Sequence, residues 1–232
     1  MNPPGKTALI LTGGGARAAY QVGVLQALMT IRQDCNEPRR RNPFQIICGT
    51  SAGAINGLSL ACRSDHIETA IRAMVEVWRD FRCEQVYEAD SLGVIRSGAK
   101  WLTLFSLGWA VARWRKARPR SLLNNDPLRD LLPGLFRLDR LPRLMKEGHL
   151  DAVAISASSY TSGEHVTFYD SAQPIEPWAR SQRISVRDQL TVDHLMASSA
   201  IPFVFPAVPL AIDGQSHYFG DGAMRQAAPI SP

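Results

Sequence analysis

Cysteine is scarce in this chain. There are four in 232 residues, Cys35, Cys48, Cys62 and Cys83, and no two stand in C-x-x-C spacing. That pattern excludes a disulfide framework and a thiolate zinc site. Cys48 and Cys62 lie in apolar surroundings and read as buried thiols acting as small hydrophobes. Long hydrophobic runs are missing too. The longest, Trp101 to Ala112, has 12 residues, against roughly 20 for a membrane-spanning helix. The N-terminal Met-Asn-Pro-Pro-Gly-Lys leads straight into a strand pattern and shows no signal peptide, so a cytoplasmic protein is expected. Acidic residues are absent from 91–120, which carries seven cations (Arg96, Lys100, Arg113, Arg115, Lys116, Arg118 and Arg120). The net charge of +5 therefore leaves 5 − 7 = −2 for the remainder. One basic surface is expected, not a general nucleic-acid coat.

What is present is ordinary for a globular protein: 45% hydrophobic and 20% charged residues. The length fits one domain over 1–232. Thr7 to Leu11 and Phe44 to Cys48 read as buried parallel strands. Ala16 to Ile31 reads as a helix with Val22, Leu25, Leu28 and Met29 inward. Ile67 to Phe81 is a strongly amphipathic helix, with Ile71, Met74, Val75 and Trp78 on its apolar face. Asp126-Pro127 marks a further helix start, and Leu138 to Glu147 is a helix ended by Gly148. Asp151 to Ala157 and His165 to Tyr169 are paired strands, and Thr191 caps a short helix through Ser198. Val208 to Ile212 and Gln215 to Phe219 form a hairpin over Asp213-Gly214. This order predicts an α/β sandwich, three layers around a mostly parallel central sheet.

Between the second strand and the helix Ala54 to Cys62 stands Gly49-Thr50-Ser51-Ala52-Gly53. A Gly-x-Ser-x-Gly in a strand–turn–helix context reads as a nucleophile elbow, with Gly49 and Gly53 permitting the sharp turn. A nucleophilic serine needs a base and fixed donors for the oxyanion. Gly13-Gly14-Gly15 ends the first strand and opens a helix, so its backbone N–H groups suit an oxyanion hole. The same loop, Gly13 to Ala18, also fits a dinucleotide fingerprint. That reading lacks an acidic residue at the end of the second strand; Asp34 lies in a helix tail or loop. Among the five histidines, His66 and His149 sit at helix edges and His165 in a strand expected at the sheet periphery. His217 and His194 are weak candidates for the base of a Ser-His-Asp esterase. Asp221, between Gly220 and Gly222 at a strand end, can present a carboxylate over a cavity.

Gly-Gly-Gly-x-Arg, then Gly-Thr-Ser-Ala-Gly, then Asp-Gly-Ala, in that order, resembles the patatin-like phospholipases. The stretch Ala197 to Pro202, with Phe205-Pro206 after it, is similar to that family's segment before its catalytic aspartate. The resemblance spans residues 6 to about 228. It implies a Ser–Asp dyad, with Ser51 as nucleophile and Asp221 as general base, and an oxyanion hole at Gly13, Gly14 and Gly15. Arg17, the arginine of the first motif, is a candidate anion contact. The implied reaction is hydrolysis of fatty acyl esters in lipids, with no metal or cofactor. Two departures stand out: Ala18 replaces the usual glycine, and the chain stops soon after the aspartate motif where relatives usually continue, so a C-terminally truncated domain is expected.

Residues 91–125 form a basic, apolar insert. Within 96–120, Trp101, Trp109 and Trp114 punctuate an apolar run edged by cations. Tryptophan and arginine together suit a membrane interface. A lid, or a docking element for anionic lipid on the inner face of the membrane, is expected there; a core helix with a solvated basic tail is the other reading.

Overall fold

Ala8–Leu11 (β1) and Ile46–Thr50 (β2) are short apolar strands, and both run into glycine-rich turns. The computed structural model describes residues 5–36, 42–80, 82, 85–86, 121 and 123–230. The run Trp101 to Ala112 with its flanking cations, and also Phe81 and Cys83, lie outside the described residues.

The strands form one sheet with Ala152–Ser159 (β3) near its centre. β1, β2 and β3 are parallel, in the register Ile10↔Cys48 and Cys48↔Ala154. Their carboxyl ends therefore reach one edge of the sheet, where α/β proteins place ligands. β3 then pairs antiparallel with His165–Ser171 (β4), which is followed in the sheet by Arg183–Arg187 (β6) and Ala179–Arg180 (β5). The sheet is mixed: a parallel part carrying the two glycine turns, then an antiparallel step to β4, with β4 and β6 parallel to each other and β5 antiparallel at the edge. His165, expected at the periphery, is buried because β4 lies between β3 and β6.

The hairpin Val208–Ile212 (β7) and Gln215–Asp221 (β8) closes through Asp213 and Gly214, both at positive φ (50° and 76°). That is the two-residue turn whose twist matches the flanking strands. β2 ends at Thr50 opposite Ser156 of β3; the next residue of β3, Ala157, pairs with Asp221 of β8. β4 occupies the other edge of β3 over the same stretch. β8 thus fills the edge that β2 vacates, and that succession sets the end of β8 against the end of β2.

Among the described residues the helices are Ala18–Asp34 (α1), Ala52–Ala61 (α2), Ile67–Asp80 (α3), Asp126–Leu135 (α4), Leu141–Lys146 (α5) and Val192–Ser198 (α6). The α4 start falls one residue earlier than expected: Asn125 is the cap and Asp126 already helical. Val22, Leu25 and Met29 of α1 are buried as expected, whereas Leu28 is 38% exposed. The inward stripe of α1 is therefore narrower than its apolar content suggests. One large core packs these helices against Ile47, Val153, Ile155, Phe168 and Phe219. Each such side chain contributes on the order of 2 kcal/mol by leaving water. The opposite sheet face carries a small cluster, Cys48, Ala154 and Tyr169 with Ile10 and Ile46, to which no described helical residue belongs. Cys48 and Cys62 are buried, and burial pushes both thiols up to about 12, so both are inert hydrophobes.

Candidate active site

The elbow is a steric construction. A Cβ on Gly49 would stand 2.5 Å from the Gly53 carbonyl oxygen and 2.6 Å from the Ala54 Cα. A Cβ on Gly53 would stand 2.4 Å from the carbonyl oxygens of both Leu11 and Thr12. The second contact explains the spacing: Gly53 lets the end of β1 pass directly over the start of α2. Between them Ser51 takes φ +54°, ψ −132°. A non-glycine residue there is strained by about 1–3 kcal/mol. It persists because the surrounding packing leaves the turn no alternative.

Ser51 Oγ donates to Asp221 Oδ2 at 2.6 Å across 170 residues of sequence. Both residues are buried, at 6% and 4% exposure. The second carboxylate oxygen of Asp221 accepts the Ala223 N–H at 2.8 Å. Burial raises the Asp221 pKa above the ordinary carboxylate value; the hydrogen bonds from Ser51 and Ala223 act the other way without cancelling it. A desolvated carboxylate is a stronger base than one in water. The pair therefore has the contact and the electrostatics for proton transfer from the serine hydroxyl.

The Ala197 to Pro202 segment braces both members. The Ser51 N–H donates to Ser198 Oγ at 2.8 Å, and the Ser198 hydroxyl donates to the Ser156 carbonyl at 2.7 Å. The Asp221 N–H donates to the Ala200 carbonyl at 2.8 Å, and Ser158 Oγ donates to the Asp221 carbonyl at 3.0 Å. Sequence reasoning matched this segment to a family pattern but assigned Ser198 no role. The available signal was a run of small hydroxyl residues at the buried end of a short helix.

The glycine loop lies beside the serine. A Cβ on Gly13 would meet Ala223 Cβ at 2.5 Å and Ser51 Cβ at 3.2 Å. The Gly13 N–H donates to the Ala227 carbonyl at 3.3 Å, whereas the Gly14 and Gly15 N–H groups meet no backbone carbonyl among the described residues. Gly15 has φ +53°, which favours glycine, and the space at its Cα is open. Gly14 and Gly15 are thus the loop donors left for a ligand. Arg17 is exposed at the end of the 3-10 turn Gly15–Arg17, its N–H bonded to the Gly14 carbonyl at 3.1 Å. Ala18 is fully buried at the start of α1, so the extra methyl is absorbed by packing.

The histidines sit elsewhere. His217 lies four residues before Asp221 in extended β8, a Cα separation of about 13 Å. His194 is committed to its own helix start: Nδ1 accepts the Thr191 N–H at 3.1 Å, Nε2 faces Asp188 at 3.5 Å, and the ring packs edge-on against Phe168. The strand end that a dinucleotide site would give to a carboxylate holds Thr50, while Asp34 ends α1. Among the described residues no group of three or more His, Cys, Asp and Glu could hold a metal. No helix of the described residues is long and apolar enough to cross a membrane.

Comparison with known proteins gives this geometry a context. The chain is 24% identical over 227 residues to the Escherichia coli (strain K12) "Uncharacterized protein YjjU", covering 98% of this chain and 48% of that one. It is 44% identical over 66 residues to "Patatin-like phospholipase domain-containing protein 7" of Mus musculus, covering 28% of this chain and 4% of that protein. The chain thus spans about half the length of the first of these relatives and a small part of the second. VipD from Legionella pneumophila superposes with a TM-score of 0.44 at 16% identity, over 95% of this chain and 46% of that one. The profile of the patatin-like phospholipase family matches residues 9–232, so this chain belongs to the patatin-like phospholipase family.

Proposed function

We propose that this protein is a serine lipid acyl hydrolase that cleaves fatty acyl esters of phospholipids or related lipids through a Ser51–Asp221 dyad. The observation that carries the reading is the 2.6 Å hydrogen bond from Ser51 Oγ to a buried carboxylate whose pKa is raised by desolvation. Asp221 takes the hydroxyl proton as Oγ attacks the ester carbonyl. The carbonyl oxygen becomes an oxyanion held by backbone N–H groups of the glycine loop, of which Gly14 and Gly15 have theirs available. The carbonyl–alkoxy bond breaks, and the leaving alcohol takes the proton from Asp221. Water then enters, gives a proton to Asp221, and releases the fatty acid as Ser51 is reprotonated. Each step moves charge among groups already in place, so neither a metal nor a cofactor is called on. Arg17, exposed beside the loop, is positioned to attract an anionic headgroup.

The test is labelling with a fluorophosphonate probe, comparing the parent with Ser51→Ala and Asp221→Asn. Labelling of the parent and of neither variant is expected. A label that survives Ser51→Ala would refute the reading.

We further propose that the protein is cytoplasmic and touches anionic bilayers peripherally through 96–120, where twelve apolar residues stand beside seven cations within 91–120. Sedimentation with anionic vesicles should weaken between low and high salt. Equal, salt-insensitive binding to neutral vesicles would sink the electrostatic part.

A further inference from the structure

A relay of three side chains from three different helices ends on the residue before the glycine loop. Trp78 of α3 donates its indole N–H to Asn56 Oδ1 at 2.8 Å. Asn56 of α2, 1% exposed, donates its amide to the Ala18 carbonyl at 3.0 Å and to Gln21 Oε1 at 3.2 Å. Gln21 of α1 donates to the Thr12 carbonyl at 2.8 Å and to Thr12 Oγ1 at 3.2 Å. The direction of this relay is dictated by chemistry. An indole can only donate, so Asn56 must turn its oxygen toward Trp78 and its NH2 toward α1. Gln21 must then turn its oxygen toward Asn56 and its NH2 toward Thr12. Neither amide can flip without setting like against like.

The end of the relay grips one peptide plane. In a trans peptide the carbonyl and the following N–H point in opposite directions. The Thr12 carbonyl is held by Gln21, and the Gly13 N–H on the far side of the same plane by Ala227 at 3.3 Å. The Thr12 oxygen also lies against Gly53, where a Cβ would come within 2.4 Å of it. Thr12–Gly13 is therefore clamped from both sides and seated on the elbow that carries Ser51. The two N–H groups that follow, Gly14 and Gly15, take their direction from it.

We infer that Trp78, Asn56 and Gln21 are positioning residues for the oxyanion site, acting through the Thr12–Gly13 peptide. The inference rests on the hydrolase reading above. A ground-state ester carbonyl needs this donor geometry little, and a tetrahedral oxyanion needs it much. Loosening the clamp therefore lowers kcat and leaves KM alone.

Gln21→Met tests this at a partly exposed position: length is kept and both donors are removed. Trp78→Phe is the second variant, keeping an aromatic ring while removing the N–H that orients the relay together with part of the indole's packing surface. Both are measured on a short-chain ester for kcat and KM, and with a trifluoromethyl ketone that adds to the serine and carries an oxyanion. For Gln21→Met, kcat is expected to fall about tenfold or more, as for a displaced oxyanion donor. KM should stay within about twofold, and affinity for the ketone should fall in step with kcat. Trp78→Phe should show the same pattern to a smaller degree. Active, labelled parent protein with kcat unchanged in Gln21→Met, or a loss confined to KM, overturns the positioning role alone. Parent protein that neither turns over ester nor labels at Ser51 overturns the hydrolase reading, and the positioning role with it.

Discussion

The two glycine-rich turns on β1 and β2 sit side by side and use glycine for different reasons. In the elbow both glycines are sterically forced: Gly49 and Gly53 each face backbone atoms within 2.7 Å of a would-be Cβ. In the loop only Gly13 is crowded. A Cβ on Gly14 would meet nothing nearer than Arg17 Cβ at 3.5 Å, and one on Gly15 would meet nothing within 4 Å. The elbow is a closed turn whose glycines let two chain segments touch. The loop is an open turn whose glycines leave N–H groups bare and room beside them. Packing explains the first; the second is open, as the proposed oxyanion site requires.

That contrast can be broken experimentally. The largest effect is expected at the elbow's own serine and its partner. Ser51→Ala or Asp221→Asn should cut ester turnover by about a thousandfold or more, with the fold intact by circular dichroism. Residual turnover above about a tenth of the parent's would separate the turn from the chemistry. Next, Gly53→Ala should destabilise the fold by about 3 kcal/mol, because two carbonyls must move to admit a methyl; urea unfolding reads this directly. Gly15→Ala should cost only about 1 kcal/mol, the penalty for a side chain at positive φ. Gly14→Ala should cost less still. If Gly14→Ala and Gly53→Ala prove equally destabilising, the distinction between open and closed turns fails.

The pH dependence sharpens the same picture. Asp221 can act as a base only when ionised, and burial raises its pKa. Activity should therefore be lost as pH falls through a value above the ordinary aspartate range of about 3.9. An acid limb of kcat/KM at or below that range would count against a buried base. The stability sign is the reverse. A carboxyl with a raised folded-state pKa contributes stability below its unfolded pKa and loses it as pH rises through the folded one. Asp221→Asn should thus raise the melting temperature more at pH 8 than at pH 4, by a few degrees at most. A larger gain at pH 4 would contradict the burial argument.

Much of this site was legible because much of it is local. Gly49 to Gly53 and Gly13 to Gly15 each lie within a few residues at the end of an apolar strand. Short-range sterics dictate what a chain can do there. The amphipathic α3 and the Asp213-Gly214 hairpin were legible for the same reason, since periodicity and turn chemistry act over one or two turns of chain. Where reading failed, the missing information was a neighbour. His165 looked peripheral because its burial depends on β6 pairing beyond it, and Leu28 looked buried because a helix has more apolar residues than its partner covers. Ser198 stands in a run of small hydroxyl residues, but which of them has a role is decided by the Ser51 N–H, 147 residues away.

The order and type of most elements, the need for glycine at the turns and the place of the serine in the elbow follow from the amino-acid sequence, because they are set by backbone sterics and short-range periodicity. The meeting of Ser51 with Asp221 does not. It depends on β2 ending at Thr50, on β8 taking the vacated edge of β3 one residue later, and on the core desolvating the carboxylate. Strand succession and dielectric environment are properties of the assembled sheet, so they exist only once residues 170 apart in the chain have packed together.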